Sequence, residues 1–209
     1  MNYSDYLAYF ISQEERPSFR LLEGQGQVLI SAPHSVEQTR KGKIKYGEYQ
    51  TGILAGLLHD KLDCPIIVKT HNCHDDANFD EQSPYKESLC QYVIDNGIKY
   101  VIDLHQLAPQ RTENIDLGTG HGKNIKVAPF LSYVVKTHFE SRGIEKITID
   151  KLFDASYPFT VSSFIANKCN IACIQIEINS RLVCDKYEDF CFFTLLEVLE
   201  QIVIDLNER

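Results

Sequence analysis

No apolar run in this chain of 209 residues reaches the length needed to span a membrane, and no charged segment followed by an apolar stretch opens it. Together these absences lead us to expect a cytoplasmic protein with no membrane partner. The chain also lacks a basic surplus. Its formal net charge is -8 with no Lys/Arg cluster to offset it, which argues against a nucleic-acid partner. The one dense basic stretch, Arg40 to Lys45, reads as a solvated loop.

Pairing signals are missing too. The seven cysteines form an odd set without CxxC spacing, the pattern of reduced thiols rather than of a disulfide framework. Cys173, inside an apolar run, reads as a small core residue, whereas Cys73 sits among His71, Asn72, His74, Asp75 and Asp76. That cluster reads as a polar active-site loop in preference to a second metal site. No repeat, low-complexity tract or Pro/Ser-rich linker divides the chain, so residues 1–209 are expected to form one domain. Its oligomeric state is left open.

What is present is an ordinary globular composition, 44% apolar and 24% charged, arranged as short β-branched runs alternating with longer amphipathic stretches. This is the pattern of βα units around a largely parallel sheet, an α/β fold. The runs predict strands near 19–22, 27–32, 65–70, 99–104, 113–117, 145–150 and 171–178. Helices are expected near 3–12, 48–61, 84–96, 127–142, 159–168 and 187–206.

Four short stretches carry chemistry. Ile30-Ser31-Ala32-Pro33-His34 reads as a strand stopped by a proline with a histidine just beyond it, which suits either a ligand or a turn cap. Glu48, in Gly47-Glu48-Tyr49, falls in the first turn of a helix, where the dipole favours a carboxylate with or without a metal. In Asp103-Leu104-His105, strand alternation puts both polar groups on one face, so that Asp103 could orient the His105 ring. Two histidines and a glutamate make a three-ligand set with one position open, the composition of catalytic zinc, although other divalent ions accept it.

The fourth stretch, Gln175-Ile176-Glu177-Ile178-Asn179, sets three polar groups on one face and apolar groups on the other. That face is either a solvated edge or the wall of a site. In a site, Glu177 would be the base that deprotonates the attacking water and returns the proton to a leaving amine.

With these residues in view, the chain resembles the N-formylglutamate amidohydrolase family, relatives of zinc carboxypeptidases and aspartoacylase-like deacylases. The resemblance rests on Pro33-His34-Ser35, Gly47-Glu48, Asp103-Leu104-His105, Asp116-Leu117-Gly118-Thr119-Gly120 and Gln175-Ile176-Glu177-Ile178-Asn179 with Arg181, in the family's order. It implies a phosphorylase/hydrolase-like three-layer sandwich with a mostly parallel, mixed sheet. It also implies one Zn2+ held by His34, Glu48 and His105, Glu177 as general base and acid, and a small N-acyl amino acid as substrate.

Family members grip an amino-acid carboxylate with an Asn-Arg pair. Asn78 matches the first position, but Phe79 stands at the second, leaving Arg111 and Arg181 as available cations. Thr119 and Asn179 complete the expected substrate contacts, and the glycines around Thr119 suggest a pocket wall. Two other readings share the metal site: a carboxypeptidase-like metallopeptidase, and a metal-stabilised binding domain without catalysis. Blocked dipeptides tested beside N-acyl amino acids separate the first from the amidohydrolase, and intact metal without any hydrolysis identifies the second.

Overall fold

The computed structural model describes residues 1–12 and 14–209. Its strands are β1 (Phe19–Leu22), β2 (Val28–Ala32), β3 (Gln38–Arg40), β4 (Lys43–Lys45), β5 (Ile66–Lys69), β6 (Tyr100–Leu107), β7 (Ile115–Gly118), β8 (Ile147–Ile149) and β9 (Ala172–Asn179). The helices are α1 (Tyr3–Ile11), α2 (Tyr49–Leu62), α3 (Pro84–Asp95), α4 (Leu131–Ser141), α5 (Val161–Cys169), α6 (Ser180–Val183) and α7 (Phe192–Asn207). Among the described residues, no helix is long and apolar enough to cross a membrane.

Seven strands form one mixed sheet in the order β1-β5-β2-β6-β9-β7-β8. The central four, β5, β2, β6 and β9, run parallel; β1 pairs antiparallel to β5, β7 pairs antiparallel to β9, and β8 lies parallel to β7. The central strands are buried along their length except at the half-buried Gln106 near the end of β6, as helices on both faces require. Strand alternation divides their side chains between two apolar layers. Ile30, Ile102, Leu104, Ile174 and Ile176 pack in one core with α1, α2, α4 and α7; Leu29, Val101 and Cys173 pack in a smaller one with α3 and α5. The result is the expected three-layer α/β sandwich.

The second face changes character along the strands. On β2 it runs from Leu29 to Ser31, on β6 from Val101 to Asp103 and His105, and on β9 from Cys173 to Gln175 and Glu177. Parallel pairing sets Ser31 beside Asp103, Asp103 beside Gln175, and His105 beside Glu177. Polar groups therefore gather over the C-terminal ends of the parallel strands, where open α/β sheets bind ligands.

Three sequence expectations need correction. His105 lies inside β6, which continues to Leu107, rather than just beyond a strand ending near 104. The last helix begins at Phe192 rather than near 187, because backbone turns such as Tyr187 N–H to Cys184 O and Phe190 N–H to Tyr187 O occupy the preceding segment. The stretch Arg40 to Lys45 is solvent-exposed from Lys41 onward, as expected, but it forms the hairpin β3–β4 rather than a loop. Lys41 and Gly42 both take positive φ (51° and 73°), the conformation of a two-residue hairpin turn.

Candidate metal centre and active site

His34 follows β2 in the turn after Pro33 and is buried; its main-chain carbonyl accepts the Glu48 N–H at 2.7 Å, which joins two of the expected ligands through the backbone. Glu48 is the N-cap residue of α2, yet its side chain makes no capping bond. The carboxylate instead turns to the rings, with Oε1 3.1 Å from His34 Nδ1 and Oε2 3.3 Å from His105 Nδ1. Gln106 N–H also donates to Oε2, at 3.0 Å. Gly47 makes this placement possible, because a Cβ there would lie 2.8 Å from the Val36 carbonyl carbon. One ligand atom from each of His34, Glu48 and His105 lies within 4.8 Å of the others, so the three could hold a metal ion.

The far side of each ring meets a carboxylate. His34 Nε2 lies 2.9 Å from Asp76 Oδ1, and His105 Nε2 lies 3.3 Å from Asp103 Oδ2. Such partners fix the ring plane and leave Nδ1 as the nitrogen that could ligate an ion. The donor set thus fits a divalent ion such as zinc: two imidazoles, one carboxylate, and a second layer of acceptors behind both rings.

Asp103 is fully buried and accepts Ser31 Oγ–H at 2.8 Å and Ser162 Oγ–H at 3.3 Å. Asp76, also fully buried, accepts the Asn78 N–H at 3.0 Å and the Arg40 Nε–H at 2.7 Å. These bonds compensate the cost of burying two charges.

Charge sharing sets the protonation of the metal-free cluster. Burial alone would lower the His34 pKa, but the Glu48 charge and the bonds to Asp76 and Glu48 overcome it and lift the imidazolium to about 9. His105 is likewise disfavoured by burial, yet Asp103 and Glu48 raise it well above its ordinary value. Glu48 is pushed up by burial but pulled down further by the two rings, to about 2. Glu177 moves the other way. Burial raises it to about 7, the pull of His105 opposes the shift, and repulsion from Glu48 adds to it. A carboxylate near neutrality, one strand away from His105, can exchange a proton with water at ordinary pH.

A cavity of about 720 Å³ opens over this cluster, within the range of small-molecule sites. His34, Glu48, His105 and Glu177 line it, with Asn78, Phe79 and Arg111, the hairpin residues Arg40 and Lys45, and the segment Leu152–Tyr157. Phe79 stacks on Tyr157, ring centroids 5.5 Å apart. Three glutamines in the wall, Gln38, Gln106 and Gln175, carry buried Oε1 atoms without a hydrogen-bond partner among the described residues. Such acceptors suit a ligand with N–H or O–H donors.

The other expected substrate contacts are placed differently. Asn78 lines the cavity, but its Oδ1 is already engaged by the Val161 N–H at 2.7 Å, at the start of α5. Thr119 does not line the cavity; its N–H and hydroxyl are both held by Asp150. Arg181 turns away to the carbonyls of Pro109 (2.6 Å) and Arg111 (3.0 Å) and to Asp189, and borders a separate cleft. Asn179 is buried beneath the same loop, donating to Arg111 O and Glu113 O. Arg181 and Asn179 therefore hold the loop from which Arg111 projects.

The glycine stretch has a similar part. A Cβ on Gly118 would lie 2.6 Å from Phe153 O, and Asp116 accepts the N–H groups of Leu152 and Phe153, so this strand end backs the cavity wall. Three contributors have individual roles that sequence alone did not assign to them. Asp76 had a signal in the polar stretch His71–Asp76, and the hairpin had one in Lys41-Gly42. The Leu152–Tyr157 wall had none.

No protein-family model and no curated protein sequence matches the chain. Solved structures do. The chain is similar to N-formylglutamate amidohydrolase from Ralstonia eutropha (13% identity, 91% of this chain and 97% of that one, TM-score 0.59). It is also similar to a bacteriophage poly-gamma-glutamate hydrolase (11% identity, 92% and 91%, TM-score 0.56). A third likeness is to the succinylglutamate desuccinylase from Chromobacterium violaceum (15% identity, 90% and 67%, TM-score 0.53). These proteins share its fold. At such identities the chemistry has to be argued from the site itself.

Proposed function

We propose that the protein is a zinc-dependent amidohydrolase that cleaves the amide bond of a small N-acyl amino acid. The observation that carries this reading is the convergence of His34, Glu48 and His105 beneath a cavity into which Glu177 also faces. The names of the structural neighbours, which include an amidohydrolase and a desuccinylase, agree with it.

His34 and His105, through Nδ1, and Glu48, through its carboxylate, would hold the ion. When bound, Zn2+ supplies Lewis acidity, polarising the scissile carbonyl and lowering the pKa of a water molecule to about 7. Asp76 and Asp103 keep the two rings in the ligating orientation. Glu177 takes a proton from the water as its oxygen attacks the acyl carbon, then gives that proton to the departing amine nitrogen. Gln175 Nε2–H donates to Glu177 Oε1 at 2.9 Å, so one carboxylate oxygen is fixed and the other is left for the proton. Arg111 and Asn78 are the proposed substrate contacts.

Activity of the zinc-loaded protein on a panel of N-formyl, N-acetyl and N-succinyl amino acids, with blocked dipeptides alongside, tests the reading. Hydrolysis of acyl amino acids, abolished by chelation and restored by zinc, is expected. Cleavage confined to the dipeptides would favour a metallopeptidase, and stoichiometric zinc with no hydrolysis would favour a binding domain.

A further inference from the structure

Three cationic side chains border the cavity of a protein whose net charge is -8: Arg40, Lys45 and Arg111. Two of them are free to move. Lys45 and Arg111 are exposed, and neither side chain makes an ion pair or hydrogen bond among the described residues. Arg40 is different. Its Nε–H is fixed on Asp76 Oδ2 at 2.7 Å, and its guanidinium lies over the Phe79 ring, 4.9 Å from the centroid. Neither Nη atom has a partner among the described residues.

From this arrangement we propose that Arg40 is the anchor for a substrate carboxylate. A guanidinium held at Nε and stacked on an aromatic ring still offers its planar Nη donors, and it has already lost the side-chain freedom that binding would otherwise remove. The placement also acts as a ruler. Asp76 gives one oxygen to Arg40 and the other to His34 Nε2, so a single carboxylate separates the anchor from the ring of a proposed metal ligand. A substrate gripped at Arg40 therefore presents its amide at a fixed distance from the centre. Arg40 thus grips the free carboxylate of the acyl amino acid already proposed, and the hairpin β3–β4 that carries it becomes the specificity element. This inference rests on the hydrolase reading above, but its test can fail separately.

The test compares the affinities of the zinc-loaded protein for glutarate, with two carboxylates, and butyrate, with one, by calorimetry. The wild type should bind glutarate about 10- to 100-fold more tightly, the range expected for a charge-assisted hydrogen-bonded contact. Arg40→Gln should bring the two within about threefold, and Arg40→Lys, which keeps the charge and loses the fork, should fall between. A circular-dichroism melt of each variant checks that folding is intact, and the glutarate/butyrate ratio cancels any shared loss of metal-site quality. No preference in the wild type, a preference that survives in Arg40→Gln, or one lost only in Arg111→Gln would each overturn the anchor. An Arg40-dependent preference in a protein that hydrolyses no acyl amide would leave the anchor standing and remove the hydrolase reading.

Discussion

Asparagine at position 76 would keep the shape of the side chain and remove the charge that holds His34. Asp76 Oδ1 lies 2.9 Å from His34 Nε2 and accepts the Asn78 N–H at 3.0 Å, while Oδ2 accepts the Arg40 Nε–H at 2.7 Å. All three groups that meet the carboxylate present N–H donors. The amide NH2 of an asparagine must therefore face at least one of them, and no flip of the amide relieves the conflict. Losing the acceptor behind a metal-binding histidine typically costs 10- to 100-fold in metal affinity, or about 1.4–2.8 kcal/mol.

An opposed, buried donor adds about 1–3 kcal/mol against folding. Asp76→Asn should accordingly bind zinc 10- to 100-fold more weakly in competition against a chromophoric chelator, and its metal-free form should melt below the wild type. Zinc affinity within twofold of wild type would refute the claim that Asp76 positions His34.

Four further expectations follow from the same geometry. Glu177→Gln should retain one equivalent of zinc by elemental analysis while turnover falls by about 10²–10⁴, the usual contribution of a positioned acid–base group; a rate near wild type would remove Glu177 from the mechanism. Because His34 is raised to about 9 and His105 also upward in the metal-free protein, zinc uptake at pH 7 should release protons, and calorimetry in buffers of different ionisation enthalpy should detect it. The same shift gives a pH signature: the His34 contribution to metal-free stability is fully present below about 6.5 and is lost as pH rises through about 9, so a melting temperature that climbs across that interval would contradict the assigned contacts. Tyr85→Phe removes a hydroxyl that accepts the Ala32 N–H and donates to Ile67 O, and should cost about 1–3 kcal/mol in a denaturant melt with little change in zinc affinity.

Much of this arrangement was legible in the sequence because two periodicities coincided. Apolar runs of strand length alternating with helical stretches located all seven strands of the large sheet, and period-two alternation placed Asp103 with His105 and Gln175 with Glu177 on shared faces. Burial on both sides kept those patterns strong.

What stayed hidden depends on contacts between segments distant in sequence. Asp76 reaches His34 across 42 positions, and nothing local distinguishes it from Asp75, which binds Lys69 instead. Arg181 follows Glu177 closely, but the short helix α6 turns its guanidinium to carbonyls on the far side of the Arg111 loop. The hairpin β3–β4 has three-residue strands and an exposed β4, so it leaves almost no apolar pattern, and only Lys41-Gly42 marks its turn.

The central claim is that His34, Glu48 and His105 bind one catalytic metal ion, and anomalous scattering at the zinc edge from zinc-soaked crystals tests it most directly. The account predicts one strong peak per chain, about 2.0–2.2 Å from His34 Nδ1, His105 Nδ1 and a Glu48 oxygen, facing the cavity that Glu177 lines. A peak elsewhere, or none at these atoms at saturating zinc, would contradict it.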